Sequence, residues 1–494
     1  MGYIEGENRN QIILFPESID DYISDSSSVR VIDEYIEQLD IEGLGFKKAV
    51  CPSIGRPPYN PKDLLKLYLY GYLNRIRSSR RLEHEAIRNI EVIWLLKKLK
   101  PDFKTIADFR KDNKKSMKKA FRDFTKLCDE WGLYGKELVA IDGTKIRACN
   151  SKRNNYSSKK LDRHIKYIDE KIDGYMKELD EGDAAESYDR KPDAQEIKAR
   201  IQELKNRKEK YEKYQKQLKE TGHNEISTVD PDARQMSNNN NNVDISYNVQ
   251  STVDSKHNLI ADFKVTQNAN DHGELDNMAL RARKLFNEKE FEVVADKGYY
   301  KIQDIKKCTD KGITPYVAKQ LYSNGPGDKE FYSDKFKYDK EKNAYICPAG
   351  REIYYARAKK LKGKIIGFEY KNYEACANCE YKERCTTSKI GRGIFRHADQ
   401  DLLDTLDLRK ENNKAKYQQR QMIVEHPFGT IKRGWDAYYF LTKVSVSAEM
   451  ALSFIAYNLR RLINILGTEE ILRKLRERRM IWYSFKVQFL FLFN

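Results

Sequence analysis

The stretch that decides the fold is VAIDGTK, at Val139–Lys145. Apolar residues run from Leu138 to Ile141 and lead straight into Asp142 and Gly143. A short apolar run bounded by a glycine turn predicts a buried strand with the aspartate at its end. An ionised acid in such a place is costly unless it has a partner, and metal ions are common partners. The stretch therefore predicts a strand that delivers a metal-binding carboxylate.

The same pattern occurs a second time in FEVVADKGY, at Phe291–Tyr299, where an apolar run leads into Asp296 and then Gly298. Two strands that each deliver an aspartate predict a shared carboxylate site. A third acid, Glu425, lies in YQQRQMIVEHPFGTIKR, at Tyr417–Arg433, a stretch rich in phosphate-binding residue types. Hard divalent ions such as Mg²⁺ prefer oxygen ligands. Three carboxylates in this pattern therefore suit metal-dependent phosphodiester chemistry.

At these three motifs the chain resembles the DDE transposases of bacterial insertion sequences. Asp142 matches the IDGT-type strand end of that family, and Asp296 matches its ADKGY-type motif. The third motif is a signature of Tyr, Arg, Glu and Lys. It is carried here by Tyr417, Arg420, Glu425 and Lys432. The common form has three residues between Arg and Glu, whereas four stand here. The resemblance extends roughly over residues 59–466.

The resemblance implies an α/β fold, namely an RNase H-like mixed sheet flanked by helices. It implies a transposase that binds the ends of an insertion sequence and catalyses metal-dependent cleavage and strand transfer. Asp142 would bridge two Mg²⁺ or Mn²⁺ ions, with Asp296 on one and Glu425 on the other. Tyr417, Arg420 and Lys432 would contact DNA phosphates. The partner would be double-stranded DNA, both terminal repeats and target, bound by a homodimer.

Two rival functions stay open at this point. The first is an RNase H-like nuclease without strand transfer, and the second is a transposase remnant that binds DNA but no longer cuts. The composition agrees with all three, because a net charge of +17 over 494 residues favours a polyanionic partner. No segment approaches the roughly 18 apolar residues of a membrane span, and the first residues do not resemble a signal peptide. These features predict a cytoplasmic protein that is not associated with membranes, and the resemblance implies a bacterial one associated with the nucleoid.

Residues 1–135 predict a helical N-terminal domain. After an irregular start, Asn60 and Pro61 are suited to cap and open a helix. Further helices follow at Ser79 and from Thr105 to about Trp131. Four arginines of this domain suggest helix-turn-helix-like binding to the DNA ends. They are Arg75, Arg77, Arg80 and Arg81. The alternative is a helical packing domain with solvated arginines.

Residues 136–468 predict the catalytic domain, with two insertions, and residues 469–494 form a C-terminal tail. Apolar spacings of three and four in 151–224 predict a coiled-coil-like helical hairpin. This hairpin is an arm for dimerisation, an arm for DNA contact, or a solvated excursion. The asparagine run at 238–242 predicts a loop.

The second insertion, residues 321–396, is predicted to be a small zinc-ribbon-like module. It holds four cysteines in a knuckle-type spacing, namely Cys347, Cys376, Cys379 and Cys385. Four soft sulfur ligands in a reducing compartment favour a structural Zn²⁺ in tetrahedral geometry. The alternative is four unligated thiols. The remaining cysteines are isolated and resemble ordinary small apolar residues.

Overall fold

The computed structural model describes residues 17–51, 53–55, 57–184, 194–237, 242–319, 328–441 and 446–492. The turn of the predicted helical hairpin and most of the predicted asparagine loop lie outside these ranges. The chain has a mixed α/β architecture with a helical N-terminal part, a six-stranded sheet and a separate five-stranded sheet. Within the described residues, no helix combines the length and apolarity needed to cross a membrane.

Among its described residues, the N-terminal part contains six α-helices. They are α1 (Ser28–Glu37), α2 (Pro61–Leu73), α3 (Ser79–Arg88), α4 (Ile90–Leu95), α5 (Phe103–Asp112) and α6 (Lys114–Glu130). As predicted, the Asn60 side chain caps α2 and Pro61 opens it. The prediction of a single helix from Thr105 to about Trp131 is wrong, because the helix is interrupted at Asn113. The Asn113 side chain accepts a hydrogen bond from Lys47 N–H at 2.7 Å and donates one to the Phe109 carbonyl at 2.9 Å.

The segment from 138 to 317 forms the six-stranded sheet and its connections. In chain order it contains β1 (Leu138–Arg147), β2 (Asn155–Ser157), α7 (Ser158–Ala184), α8 (Ala194–Thr221), β3 (Glu225–Ser227), β4 (Arg234–Ser237), β5 (Val243–Asp254), β6 (Ile260–Thr266), α9 (Leu275–Phe286), β7 (Phe291–Ala295), α10 (Ile302–Thr309) and β8 (Ile313–Val317). Across the sheet, β6 is followed by β5, β1, β7 and β8, and β4 also pairs with β5. β1, β5 and β6 are antiparallel, whereas β1, β7 and β8 are parallel.

The prediction that β1 ends at Asp142 is wrong. It continues to Arg147 while pairing with β5 along its whole second half, as far as Ser246. The glycine that follows Asp142 was expected to turn the chain, but an extended backbone accommodates glycine as well. Asp142 therefore lies in the middle of a strand, and Asp296 alone follows a strand end.

In the first insertion, α7 and α8 run antiparallel above a base formed by β2 and β3. Lys208 on α8 forms an ion pair with Asp169 on α7 at 2.6 Å. The two helices bury a small cluster of side chains that is separate from the main core. Its fully buried members are Leu161, Ile168, Tyr211 and Leu218.

The second insertion forms the five-stranded antiparallel sheet. Its elements are β9 (Lys337–Asp339), β10 (Ala344–Ile346), β11 (Glu352–Leu361), β12 (Lys364–Lys371), α11 (Tyr373–Ala377), α12 (Lys382–Cys385) and β13 (Gly393–His397). The strands follow one another in chain order across this sheet. The module has its own core, which includes Tyr345, Ile353 and Tyr370.

Four helices complete the chain: α13 (Gln400–Asn412), α14 (Lys414–Phe428), α15 (Val446–Leu466) and α16 (Thr468–Leu492). α15 is buried over most of its length, from Val446 to Leu459, and joins the N-terminal helices to the large sheet. The ring of Phe454 on α15 lies 5.1 Å from Phe263 on β6 and 6.2 Å from Phe121 on α6. The predicted tail begins as α16, where Gln38 donates a hydrogen bond to the Leu475 carbonyl at 2.8 Å. The N-terminal helices and the large sheet thus share one hydrophobic core.

Candidate active site

Two of the three predicted acids lie side by side on neighbouring parallel strands. Ile141 of β1 pairs with Ala295 of β7, so the residues that follow, Asp142 and Asp296, come to the same level of the sheet. Each carboxylate accepts a hydrogen bond from a backbone N–H one or two residues further along the chain, at 2.9 and 2.7 Å respectively. These local bonds orient both side chains, and the strand pairing brings them together.

The pKa of Asp142 is raised to about 7, first by burial and then by the negative charge of Asp296. Asp271 raises this pKa further, whereas the Gly143 N–H and the guanidinium of Arg420 act in the opposite direction. Neighbouring carboxylates in a partly buried site resist being ionised together unless a cation compensates them. The site is therefore electrostatically suited to a cation.

Asp271 is a third acid at this point, and the sequence reasoning did not select it. It lies in the loop between β6 and α9. Its Oδ1 accepts hydrogen bonds from Asn248 Nδ2 at 2.8 Å and from Gln250 Nε2 at 2.7 Å. Lys145 Nζ lies 3.7 Å from the same oxygen. These contacts hold Asp271 beside Asp142 and supply part of the positive charge that three acids need.

A signal for Asp271 is present on β5, where polar residues alternate with apolar ones. Asn248 and Gln250 occupy alternate positions and are both fully buried. Buried amides need hydrogen-bonding partners, so their presence on a central strand predicts a polar group facing them. The neighbouring side chain of His272 is exposed.

Gly143 is required by close packing around these amides. A Cβ atom at this position would lie 2.3 Å from Gln250 Nε2 and 2.5 Å from Asp271 Oδ1. The buried Tyr299, from the second motif, donates a hydrogen bond to Gln250 Oε1. Burial raises the pKa of Tyr299, and the negative charge of Asp271 raises it further, which keeps the hydroxyl protonated as a donor. Gly143 thus leaves room for the Gln250 side chain, and Tyr299 orients it by a hydrogen bond.

Glu425 lies on α14, which packs against β1 and β7. Its carboxylate is exposed and accepts a hydrogen bond from Gln421 Nε2 at 2.8 Å. Five residues of an α-helix turn by about 500°, so Arg420 and Glu425 face directions about 140° apart. Arg420 acts on Asp142 electrostatically. The extra residue between Arg and Glu therefore places Gln421, and not Arg420, beside Glu425.

Tyr417 and Arg420 are brought to the two aspartates. Burial raises the pKa of Tyr417, Arg420 lowers it, and the charge of Asp296 raises it again. Tyr417 is half-buried and interacts with Arg420 through its side chain. These two predicted DNA-binding residues consequently lie at the edge of the acidic site.

Lys432 also lies at this site, but it is positioned by a π-helical turn and not by a continuation of the regular helix that carries Glu425. α14 continues through Pro427 but then passes into a π-helical turn at Gly429–Gly434. Glu425 and Lys432 are therefore not two turns apart on one regular helix. Lys432 Nζ donates hydrogen bonds to Thr144 Oγ1 at 3.0 Å and to the Lys145 carbonyl at 3.2 Å. The predicted phosphate-binding lysine is thereby fixed on β1 next to Asp142.

The four predicted DNA-binding arginines divide into two kinds. Arg77 is engaged inside the protein, which contradicts its assignment to DNA. It donates hydrogen bonds to the carbonyls of Tyr439 at 2.8 Å and Asp436 at 2.9 Å, and it lies 3.3 Å from the buried carboxylate of Glu449. The other three side chains are exposed, namely Arg75, Arg80 and Arg81. Arg77 therefore links the N-terminal helices to the C-terminal segment.

All four predicted zinc-ligand cysteines line one cavity of about 30 Å³ in the second insertion. Arg351 N–H donates to Cys347 Sγ at 3.3 Å. A Cβ atom at Gly391, which has a φ of +100°, would lie 2.5 Å from Cys376 Cβ. Burial raises the pKa of Cys385, as does proximity to the other three thiols. Four converging sulfur donors with a glycine pressed against one of them suit a tetrahedral metal ion.

Neither the acids nor the cysteines form a closed metal site in this structure. Within the ranges that the structure describes, no group of three or more His, Cys, Asp or Glu side chains is gathered closely enough to hold a metal ion.

Comparisons with known families agree with the motifs. Residues 17–112 match the family described as Transposase domain (DUF772), and residues 346–463 match the family described as Transposase DDE domain. The second match includes Glu425 and the four cysteines, whereas Asp142 and Asp296 lie outside both matches. No curated protein and no solved structure matches the chain. Two segments of the chain are thus similar to transposase families, one of them a DDE domain, and this similarity agrees with the resemblance that the motifs suggest.

Proposed function

We propose that this protein binds the ends of an insertion sequence and catalyses metal-dependent DNA cleavage and strand transfer. The observation that carries the proposal is the placement of Asp142 and Asp296 at one level of two parallel strands. An RNase H-like core is part of the proposal. It is supported by the strand order β6, β5, β1, β7, β8, with the first three strands antiparallel and the last three parallel.

The donor set of this site fits Mg²⁺ or Mn²⁺, because its acids offer hard oxygen ligands. Two such ions, when bound, activate the attacking oxygen and stabilise the leaving oxygen of an in-line displacement. Asp142 would contact both ions, and Asp296 would hold one of them. Glu425 is the proposed third ligand. Asp271 is the alternative, since it already lies beside Asp142.

The two cations and the tyrosine around the acids have a separate proposed task. Arg420, Lys432 and Tyr417 border the carboxylates and would contact the phosphates on either side of the cut bond. Lys432 is pre-positioned by Thr144, so it needs little reorganisation when DNA binds. These residues would hold the substrate in line with the acids without touching a metal ion.

Three further parts belong to the proposal. Cys347, Cys376, Cys379 and Cys385 would hold one structural Zn²⁺ that stabilises the second insertion. The exposed arginines of the N-terminal helices would recognise the DNA ends. The protein would act as a homodimer on DNA, in the bacterial cytoplasm on the nucleoid. Light scattering of the protein with and without DNA would measure the oligomeric state.

Mg²⁺-dependent joining of DNA that carries the element's ends tests the function. Genomic fragments retained by the purified protein would supply the substrate, and Asp142→Asn would serve as the control. A transposase cleaves and joins these fragments, a nuclease only cleaves them, and an inactive remnant only binds them. Cleavage without joining would reject strand transfer, and binding without cleavage would reject the catalytic proposal.

A further inference from the structure

The hairpin of β11 and β12 extends beyond the sheet of the second insertion. β10 pairs with β11 only at Glu352–Tyr354, and β13 pairs with β12 only at Gly367–Lys371. Between these limits, at residues 356–366, the two strands pair with each other and with no other named strand of the described chain. We call residues 356–366 the basic ribbon. The geometry makes it a two-stranded projection.

The charge of the basic ribbon has one sign. Its sequence, ARAKKLKGKII, contains five cations in eleven residues and no acid. All five cations are exposed, namely Arg357, Lys359, Lys360, Lys362 and Lys364. Like charges at this density repel one another, and the repulsion is relieved when a polyanion binds.

Two of the five cations have partners at the base of the ribbon. Arg357 pairs with Glu369 at 2.7 Å, and Lys359 Nζ lies 5.6 Å from the ring of Phe395. The three outer lysines, Lys360, Lys362 and Lys364, extend into solvent towards the tip. The base is thus anchored to the sheet, while the tip carries the charges that remain available for a ligand.

The shape of the ribbon favours duplex DNA over single strands. Lys362 and Gly363 have positive φ angles of 47° and 79°, which closes the hairpin in a tight two-residue turn. A two-stranded ribbon of this width fits the DNA major groove. Single-strand binding surfaces instead stack bases on aromatic side chains, and the basic ribbon contains none.

We propose that the basic ribbon binds the sugar–phosphate backbone of double-stranded DNA from within a groove. This proposal rests on the proposed function, because it adds a DNA contact to a protein that acts on DNA. It gives the cysteine-rich insertion a role beyond stability: the module holds the ribbon at a fixed place on the protein. The contacts are to phosphates and therefore independent of base sequence.

The test is the salt dependence of duplex binding by the full-length protein, measured by fluorescence anisotropy without added divalent ions. The variant is Lys360→Gln, Lys362→Gln, Lys364→Gln. The control is Lys284→Gln, Lys289→Gln, Lys311→Gln, which removes the same charge from exposed positions. Lys289 and Lys311 precede β7 and β8, at the end of the sheet opposite to Asp296.

Each phosphate contact contributes about 0.9 to the slope of log affinity against log salt. The ribbon variant should therefore have a slope shallower by about two to three and bind at least about tenfold more weakly at 0.1 M salt, while the control stays close to the wild type. All substituted side chains are exposed, and we therefore expect both variants to fold. Equal melting temperatures of the wild type and the two variants would verify this.

Two outcomes would overturn the ribbon proposal. In one, the ribbon variant and its control bind the duplex equally well. In the other, the loss is confined to single-stranded DNA. These failures differ from failure of the proposed function, in which the wild-type protein itself would show no salt-dependent binding or no metal-dependent joining.

Discussion

Lys432 Nζ donates a hydrogen bond to Thr144 Oγ1 at 3.0 Å and thereby joins the π-helical turn after α14 to the strand that carries Asp142. The two residues stand 288 positions apart in the chain. This contact brings the third motif to the first one. The Lys432 side chain is half-buried. Its orientation is therefore set in the free protein, before DNA binds.

Lys432→Ala should lower both DNA affinity and the rate of joining, because it would remove the proposed phosphate contact and no proposed metal ligand. We expect a loss of roughly tenfold to a hundredfold in rate. The neighbouring Arg433→Ala removes the same charge from an exposed position. Single-turnover joining assays would compare the two. Equal effects of both substitutions would mean that Lys432 acts only through net charge.

Asp142→Asn and Asp296→Asn should each abolish cleavage and joining, by at least about a thousandfold, while leaving DNA binding largely intact. The amide keeps the shape of the side chain but loses the charge that holds a divalent ion. A second readout is thermal: Mg²⁺ should raise the melting temperature of the wild type but not of these variants. The exposed Asp310→Asn is the control. Normal Mg²⁺ stabilisation of Asp142→Asn would place the metal elsewhere.

The identity of the third carboxylate can be decided between Glu425 and Asp271. Glu425→Gln should abolish joining if Glu425 swings towards the aspartates when metal and DNA bind. Asp271→Asn removes the carboxylate that accepts bonds from Asn248 and Gln250. Joining assays on both variants, with Mg²⁺ titrations, are the measurement. Near-normal joining by Glu425→Gln, together with loss in Asp271→Asn, would make Asp271 the third ligand.

The sequence predicted those parts of the site that are encoded locally. An apolar run before an aspartate is visible in a one-dimensional pattern, so the sequence selected Asp142 and Asp296 as candidates. Asp271 was missed because its evidence lies in tertiary contacts: two buried amides on β5 face it across a loop. The internal contacts of Arg77 could not be predicted from the sequence either, because its partners are more than 350 positions away.

The same distinction holds for the fold. The cap at Asn60 follows from local backbone chemistry and was predicted correctly. The break at Asn113 depends on a hydrogen bond from Lys47, 66 residues earlier, and was not predicted. A helical N-terminal domain over residues 1–135 was predicted from helix caps and apolar patterns, and Phe121 of this part packs on Phe263 of the sheet. Removal of the N-terminal helices would therefore expose the core of the sheet.

Arg77→Ala should destabilise the protein by roughly 2–4 kcal/mol, because it removes the ion pair between Arg77 and the buried carboxylate of Glu449. The exposed Arg81→Ala should change stability by less than about 0.5 kcal/mol and instead weaken binding to DNA ends. Urea denaturation and end-binding assays on both variants would check this. A stable Arg77→Ala protein with weakened end binding would return Arg77 to the DNA surface.

Purified protein expressed with zinc should contain about one equivalent of Zn²⁺, and Cys376→Ser should lose it. The reason is the convergence of four sulfur donors on one cavity. Elemental analysis is the measurement, and Cys51→Ser, at an exposed cysteine outside the insertion, is the control. Less than about half an equivalent in the wild type would contradict a zinc site.

The base of the helical hairpin has a consequence for how this chain can be rebuilt. Ser157 and Glu225 face each other as the last pair of β2 and β3, so the chain leaves the body and returns within about 5 Å. The helices between them bury a cluster of their own, separate from the main core. We therefore expect that a short turn can replace α7 and α8 without disrupting the six-stranded sheet. Another protein domain should be tolerated as an insertion between the same two residues.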